Sequence, residues 1–331
     1  MIPSPDTDAP RLAPPFEKRM PKFVHELPEA KILFETLGAE KNLLPVVIEK
    51  DYWAMHCLWG LQKDGFTFEM KGGTSLSKGW GCIDRFSEDI DIRFKPPEGL
   101  NVKGVKPAHI QARFAFYDSL AANIKIPDVA VERNRSYDDE KAQNGGVSLK
   151  YDSHFTAAPG LKPEVLLEIG FARTAPNEPR DFTSWALERA LQAKVDVVNN
   201  RAASVKCFNP EYTFVDKLQT ICKRFRKYRD RNDDRDQPRQ FLRHYYDLHK
   251  LLELERVKKF IGTADYQTYK HEKLRGQDAK EFESRSAFTF PDEKIYRLFE
   301  NEYKSMNSLL LSPGPTFKDI VDRLRNNSAA F

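Results

Sequence analysis

Residues 71–94, KGGTSLSKGWGCIDRFSEDIDIRF, constrain this chain more than any other stretch. The segment opens on two glycines and two hydroxyls, Gly72, Gly73, Thr74 and Ser75. It closes on alternating acids, Glu88, Asp89, Ile90, Asp91 and Ile92. In a strand, residues two apart share a face, so Asp89 and Asp91 project together while Ile90 and Ile92 face the other way. Side-by-side carboxylates repel, and a fold tolerates them best around a cation. Mg²⁺ arriving with a nucleoside triphosphate (NTP) suits such a pair, because a hard ion takes one or two carboxylates plus phosphate oxygens. Mn²⁺ is the alternative ion.

The front of the segment agrees. Phe66, Phe68 and Met70 alternate with Thr67, Glu69 and Lys71, which predicts a short strand. The Gly-Gly turn lets backbone approach a ligand closely, since neither residue carries a β-carbon. A short helix is expected from about Thr74, with Leu76 and Trp80 on one face. Its free N–H groups and hydroxyls would meet a phosphate, placing Gly73, Thr74 and Ser75 at the β and γ phosphates.

The order strand, Gly-Gly/Ser-Thr turn, short helix and Asp-x-Asp strand resembles the DNA polymerase β-like nucleotidyltransferases. The fuller string, with Leu76, Ser77 and Lys78 and then Arg85, Phe86, Ser87, Glu88, Asp89, Ile90 and Asp91, resembles the AbiEii/AbiGii family of nucleotidyltransferase-like toxins. The resemblance implies an α+β fold: a polymerase β-like nucleotidyltransferase core, a small mixed sheet flanked by helices, plus a C-terminal helical domain. It extends the nucleotide-binding set to Lys71, Gly72, Gly73, Thr74, Ser75 and Lys78. It implies Mg²⁺-dependent transfer of NMP from an NTP to an RNA, tRNA among the candidates, or to another cellular acceptor. It also implies a toxin with a cognate antitoxin.

Three further residues enter the candidate site. In PEVLLEIGFAR, residues 163–173, Leu166, Glu168 and Gly170 face one side of a strand and Val165, Leu167, Ile169 and Phe171 the other. A lone Glu in an apolar strand is costly unless paired or metal-bound. In polymerase β-like enzymes a third carboxylate on a neighbouring strand joins the Asp pair, so Glu168 is the candidate, pairing with Arg173 being the alternative. Lys217, followed by Leu218, matches a family lysine that points at the triphosphate. RHYYDL, residues 243–248, resembles the family's Arg-x-Lys-Asp-x-Tyr-Asp-Leu element, with His244 and Tyr245 where Lys-Asp is commoner. Asp247 is then implied to serve the catalytic site or orient the lysine; a helix salt bridge with Arg243 or Lys250 is the plain alternative. The catalytic candidates are Asp89, Asp91, Glu168, Lys217 and Asp247, of which Asp89, Asp91 and Glu168 would hold the metal.

The rest of the chain sets bounds. Its 331 residues suffice for two domains or for one large domain with an appended bundle. Residues 1–20, rich in proline, read as a flexible arm, 21–209 as the nucleotidyltransferase-like domain with N-terminal helices, and 210–331 as a helical domain. Helices are expected over 29–38, 45–61, 107–126 and 185–191, and strands over 147–151, 195–198 and 204–208. Residues 127–146 read as a hairpin or a mobile loop. Glu49 reads as part of a solvated charge cluster, with Lys50 and Asp51 as candidates at the edge of the cleft.

A net charge of +4, from 53 basic and 49 acidic residues, makes any nucleic-acid contact a matter of local patches. The basic run at 223–239, with Phe225 and Tyr228 interleaved, fits either an RNA backbone or a charged loop. Cys57, Cys82, Cys207 and Cys222 are scattered, which suits reduced thiols in a cytoplasmic protein. No apolar run is long enough for a bilayer, and no signal-peptide core is evident, so no membrane partner is expected. Two other readings of the same cleft stay open: an NTP-binding interaction protein without transferase turnover, and kinase-like transfer of a γ-phosphoryl group.

Overall fold

The computed structural model describes residues 20–158, 160–231 and 237–331. The expected arm over 1–20 lies outside the described residues, Met20 excepted, and so does the 232–236 part of the basic run. The strands are β1 (Phe68–Lys71), β2 (Ile90–Phe94), β3 (Ala130–Asn134), β4 (Asn144–Lys150), β5 (Val165–Gly170), β6 (Asn177–Phe182) and β7 (Ala202–Phe208). Among the described residues they form one seven-stranded sheet in the order β3-β4-β5-β2-β1-β7-β6. The pairs β2·β5 and β1·β7 are parallel and the others antiparallel. The α+β class and mixed sheet that the family resemblance implied are therefore observed.

The helices up to β7 are α1 (Ala30–Lys41), α2 (Pro45–Lys63), α3 (Gly72–Thr74), α4 (Pro107–Asn123) and α5 (Trp185–Gln192). After β7 the chain is helical: α6 (Pro210–Arg231), α7 (Leu242–Leu251), α8 (Glu255–Phe260), α9 (Ala264–Lys273), α10 (Gln277–Ser284), α11 (Ser286–Thr289), α12 (Glu293–Tyr303) and α13 (Phe317–Asn327).

Two apolar cores hold these layers. In the first, Ile90, Ile92, Phe68 and Met70 pack beneath the sheet with Tyr52, Trp53 and Leu58 of α2. A helix apolar on nearly all sides is a buried one, and α2 is enclosed almost all round. Burying each of its large apolar side chains contributes about 1.5–3 kcal/mol. The second core gathers Phe214, Leu218, Ile221 and Phe225 of α6 with Tyr245 and Leu248 of α7 and Phe299 of α12. Leu76 and Ile83, from the glycine-led segment, belong to this second core. That segment is thus anchored between the sheet and the helices.

Two expectations change. Residues 195–198 form no named strand; Val197 makes a single bridge to Lys22. The hairpin read over 127–146 is present, β3 running antiparallel to β4, but β3 and β6 were not foreseen as strands with bounds of their own. Both are outer strands of the sheet, and both are polar and largely solvent-facing. An edge strand need bury neither face, so it carries little apolar alternation to read.

Candidate active site

The floor of the site is a row across the central strands. Lys71 of β1 lies opposite Asp91 of β2, and Asp91 lies opposite Glu168 of β5. Directly paired residues share a face of the sheet, so the two carboxyl groups stand side by side. Gly146 of β4 is the next position in the row. Asp89, one residue before β2, projects to the same side. All three acids line one cavity of about 500 Å³.

Burial and the neighbouring carboxylates of Asp91 and Asp89 push the Glu168 carboxyl up to about 8, and a hydrogen bond with Asp91 adds to this. Burial also raises Asp89, against the pull of the Lys162 ammonium. A crowd of acids that resists full ionisation is one in want of positive charge. The other sign of the row is Lys71, whose ammonium lies 3.4 Å from where a β-carbon on Gly170 would stand.

The glycine turn abuts this floor. Gly72 has a φ of +74°, a conformation glycine adopts without strain. A β-carbon there would meet Asp91 Oδ2 at 2.0 Å. On Gly73 it would meet Ser87 Oγ at 2.6 Å and the Arg85 guanidinium at 2.8 Å. Both glycines are therefore required by close approach, and both line the cavity. The chain continues through α3 into one π turn over Ser75–Gly79.

The hydroxyls at this turn point inward. Thr74 donates to the Asp89 carbonyl at 2.5 Å and Ser75 to the Gly72 carbonyl at 2.9 Å. Neither side chain lines the cavity; both are spent on fixing the turn to the acidic strand. Lys78 also points away. Its ammonium pairs with Asp51 at 2.5 Å and sits 3.9 Å from the centre of the Trp185 ring. Of the six expected nucleotide contacts, Lys71, Gly72 and Gly73 face the cavity, while the side chains of Thr74, Ser75 and Lys78 do not.

The opposite wall is helical. Thr213, Lys217, Thr220 and Arg224 of α6 recur at helical spacing along it, with Arg243 and His244 from α7. Lys217 donates to Asp247 at 2.6 Å. Asp247 also takes both arms of Arg85, at 2.6 and 2.8 Å, a fork well matched to a carboxylate. Burial raises the Asp247 carboxyl, but Arg85 and Lys217 outweigh it and hold the group far below the ordinary range.

Asp247 is thus fully buried and outside the metal-facing row. It ties the Arg85-Phe86-Ser87 stretch to the lysine of the helical wall. Its partners are Arg85 and Lys217, where the plain expectation was Arg243 or Lys250. Glu168 does not pair with Arg173 either; that arginine reaches the Ala175 carbonyl and Glu272.

The Glu49-Lys50-Asp51 trio of α2 is buried behind the motif and does not line the cavity. Glu49 accepts from Ser153 and from the His154 N–H. Lys50 donates to Glu88 at 2.9 Å, and Asp51 holds Lys78 and the Trp185 N–H. These three buttress the site, so the expectation of a solvated Glu49 is corrected.

Sequence reading missed Lys162. Its ammonium takes both oxygens of Asp89, at 2.8 and 2.9 Å. It lies in the segment before β5 with no periodic signal around it. It also missed Tyr137, Asn144, Arg224 and Arg243 as lining residues.

The donor set fits a hard divalent ion in kind: carboxylate oxygens on one face, beside a glycine turn open to phosphate. Among the described residues, no trio of His, Cys, Asp or Glu is gathered as a ready-made metal centre. Two carboxylates completed by phosphate oxygens meet the need of Mg²⁺ without one. Two other cavities of about 640 and 660 Å³ lie at Gln267–Glu283 and beside His25, Trp53 and Tyr151. Neither brings an acid pair against a glycine turn.

A mixed seven-stranded sheet flanked by helices, with its acids and a glycine turn facing a cationic helix across one cavity, is consistent with a nucleotidyltransferase-like α+β fold. Residues 57–323 match the family described as nucleotidyl transferase AbiEii toxin, type IV toxin–antitoxin system. The chain belongs to the AbiEii family, and it is a transferase of phosphorus-containing groups. A comparison with curated proteins gave no match. Among the described residues, no helix is long and apolar enough to cross a membrane.

Proposed function

We propose that the chain moves a nucleoside monophosphate from an NTP to an RNA acceptor, with tRNA the first candidate, and that this makes it a toxin held in check by a cognate antitoxin. The observation that carries the reading is the side-by-side placement of Asp91 and Glu168, with Asp89 in the same cavity, against the Gly72–Gly73 turn. Mg²⁺ or Mn²⁺, when bound there, would supply charge neutralisation and Lewis-acid polarisation of the phosphate.

The chain's own groups do the rest. The turn backbone approaches the polyphosphate without side-chain hindrance. Lys217, fixed by Asp247, and Arg243 present positive charge where pyrophosphate departs. Asp91 and Asp89 would hold the cation, with Glu168 beside them, leaving the α-phosphate open to in-line attack. An acceptor hydroxyl forms the new O–P bond, its proton passes to a carboxylate of the floor, and the bond to the β-phosphate oxygen breaks.

Incubating the protein with α-labelled NTPs and total RNA tests this. The expected result is label in RNA, lost in Asp91→Asn. Retained nucleotide with no labelled product would make it a binding protein instead. Label arriving only from the γ position would make it kinase-like.

A further inference from the structure

One of the cavity's acids is already held by a lysine from just outside its lining. Lys162 Nζ engages both oxygens of Asp89, the oxygens a metal would need. Its ammonium also lies 5.1 Å from the centre of the Tyr137 ring, which lines the same cavity. The root of this lysine is fixed. Its backbone N–H donates to Glu88 at 3.1 Å, and its carbonyl accepts from Lys50 at 2.6 Å. Lys50 is fully enclosed and pairs with Glu88 as well. The side chain beyond that root is the partly exposed portion of the residue. An anchored backbone with a flexible four-carbon arm can release its charged end without moving the strand behind it.

We propose that Lys162 is a positioning residue that acts as a tethered counter-ion: it holds Asp89 while the site is empty of metal, yields Asp89 to a divalent ion, and turns its ammonium to the phosphates that arrive with that ion. This rests on the metal reading given above. The consequence is a coupling. A bare ion must compete with an ammonium already bound to Asp89, so it binds weakly. An ion arriving with a triphosphate gives the displaced ammonium a new anionic partner, so it binds well. By linkage, the same lysine makes each of the two ligands strengthen the other.

The test is Mn²⁺ binding to the full chain, read from the paramagnetic resonance of free Mn²⁺, without and with a non-hydrolysable NTP analogue. Lys162→Met removes the charge and keeps the apolar stem; Lys162→Gln is the second variant should the first fail to fold, since both retain the backbone contacts. The expected result is bare Mn²⁺ bound about tenfold more tightly than in the wild type, a factor worth about 1.4 kcal/mol. The gain in Mn²⁺ affinity on adding the analogue should shrink by a similar factor. Unchanged or weaker bare-ion binding in a folded variant would overturn the role of Lys162. Asp91→Asn separates this from the underlying reading. If it leaves Mn²⁺ binding intact in both backgrounds, the metal reading itself fails; if it abolishes binding while Lys162→Met has no effect, only the tethered counter-ion fails.

Discussion

Asp247→Asn is the sharpest perturbation of the arrangement between sheet and helices. The carboxylate is fully enclosed and answers two cations, Arg85 and Lys217, which are themselves buried. Removing one partner of a buried ion pair leaves an uncompensated charge and costs about 3–5 kcal/mol. Here one substitution strands two cations. Relief is available on one side, because burial already works against the Lys217 ammonium and it can shed its proton. The Arg85 guanidinium has no such escape. The expected loss is therefore about 3–5 kcal/mol, a large part of the ~5–15 kcal/mol that stabilises an ordinary domain.

Urea unfolding followed by tryptophan fluorescence measures it, through the shift in midpoint at constant slope. Replacing the whole cluster, with Arg85→Met, Asp247→Leu and Lys217→Met together, should recover most of the loss, since no buried charge is then unpaired. The pH dependence has a fixed sign. The folded carboxyl lies below its unfolded value, so its contribution is present above about pH 4 and fades as acid takes the protein down through the folded value. The gap between wild type and Asp247→Asn should narrow in acid. A cost under about 1 kcal/mol, the range of an exposed pair, or no recovery in the triple variant, would refute the view of Asp247 as the buried tie between sheet and helical wall.

Other perturbations separate binding from folding. In the metal-free protein, Glu168 has the opposite sign: its folded carboxyl is raised to about 8 from an ordinary 4.5, so it reduces stability as pH rises between the two values. Each unit is worth about 1.4 kcal/mol, and allowing half for the water reaching a half-buried group gives roughly 2 kcal/mol; Glu168→Gln should be the more stable protein at pH 8 by that amount in thermal or urea unfolding, and equal to wild type at pH 4. Gly72→Ala should abolish binding of a fluorescent NTP analogue by pushing Asp91 aside, whereas Gly65→Ala, with a φ of +88° and open space around it, carries about the same 1–2 kcal/mol of strain and should bind normally. Lys78→Met should lower stability through the orphaned Asp51 yet leave nucleotide affinity within about twofold of wild type, a change under 0.5 kcal/mol by the tenfold-per-1.4 kcal/mol relation. Expression of the chain without its antitoxin should arrest growth, and Asp89→Ala should restore colony formation; full toxicity of that variant would rule out catalysis as the cause.

The floor of the site was legible because strand alternation is a strong local signal: Asp89 and Asp91 face away from the buried Ile90 and Ile92, and an acid inside the apolar run around Glu168 stands out. The pairing of Asp91 with Glu168 across β2 and β5 was not legible, since register between strands more than seventy residues apart leaves no mark in either. The hydroxyls of Thr74 and Ser75 were misplaced for a related reason. A helix start suggests free N–H groups and outward hydroxyls, but here the turn is closed by its own side chains onto Asp89 and Gly72. Glu49 looked like a surface charge because its burial depends on the segment at Ser153 and His154, about a hundred residues on. Lys162 could not have been found: nothing local distinguishes a lysine that will meet an acid on another strand.

The central claim is that a divalent ion and a polyphosphate meet between the Asp89–Asp91 strand and the Gly72–Gly73 turn. The most direct measurement is the anomalous scattering of Mn²⁺ in crystals grown with a non-hydrolysable NTP analogue. The expected result is a peak at coordination distance from Asp91 and from Asp89 or Glu168, with the triphosphate against Gly72 and Gly73 and Lys162 turned off Asp89. Nucleotide bound elsewhere, such as beside His25 and Trp53, with the three acids free of metal, would contradict it.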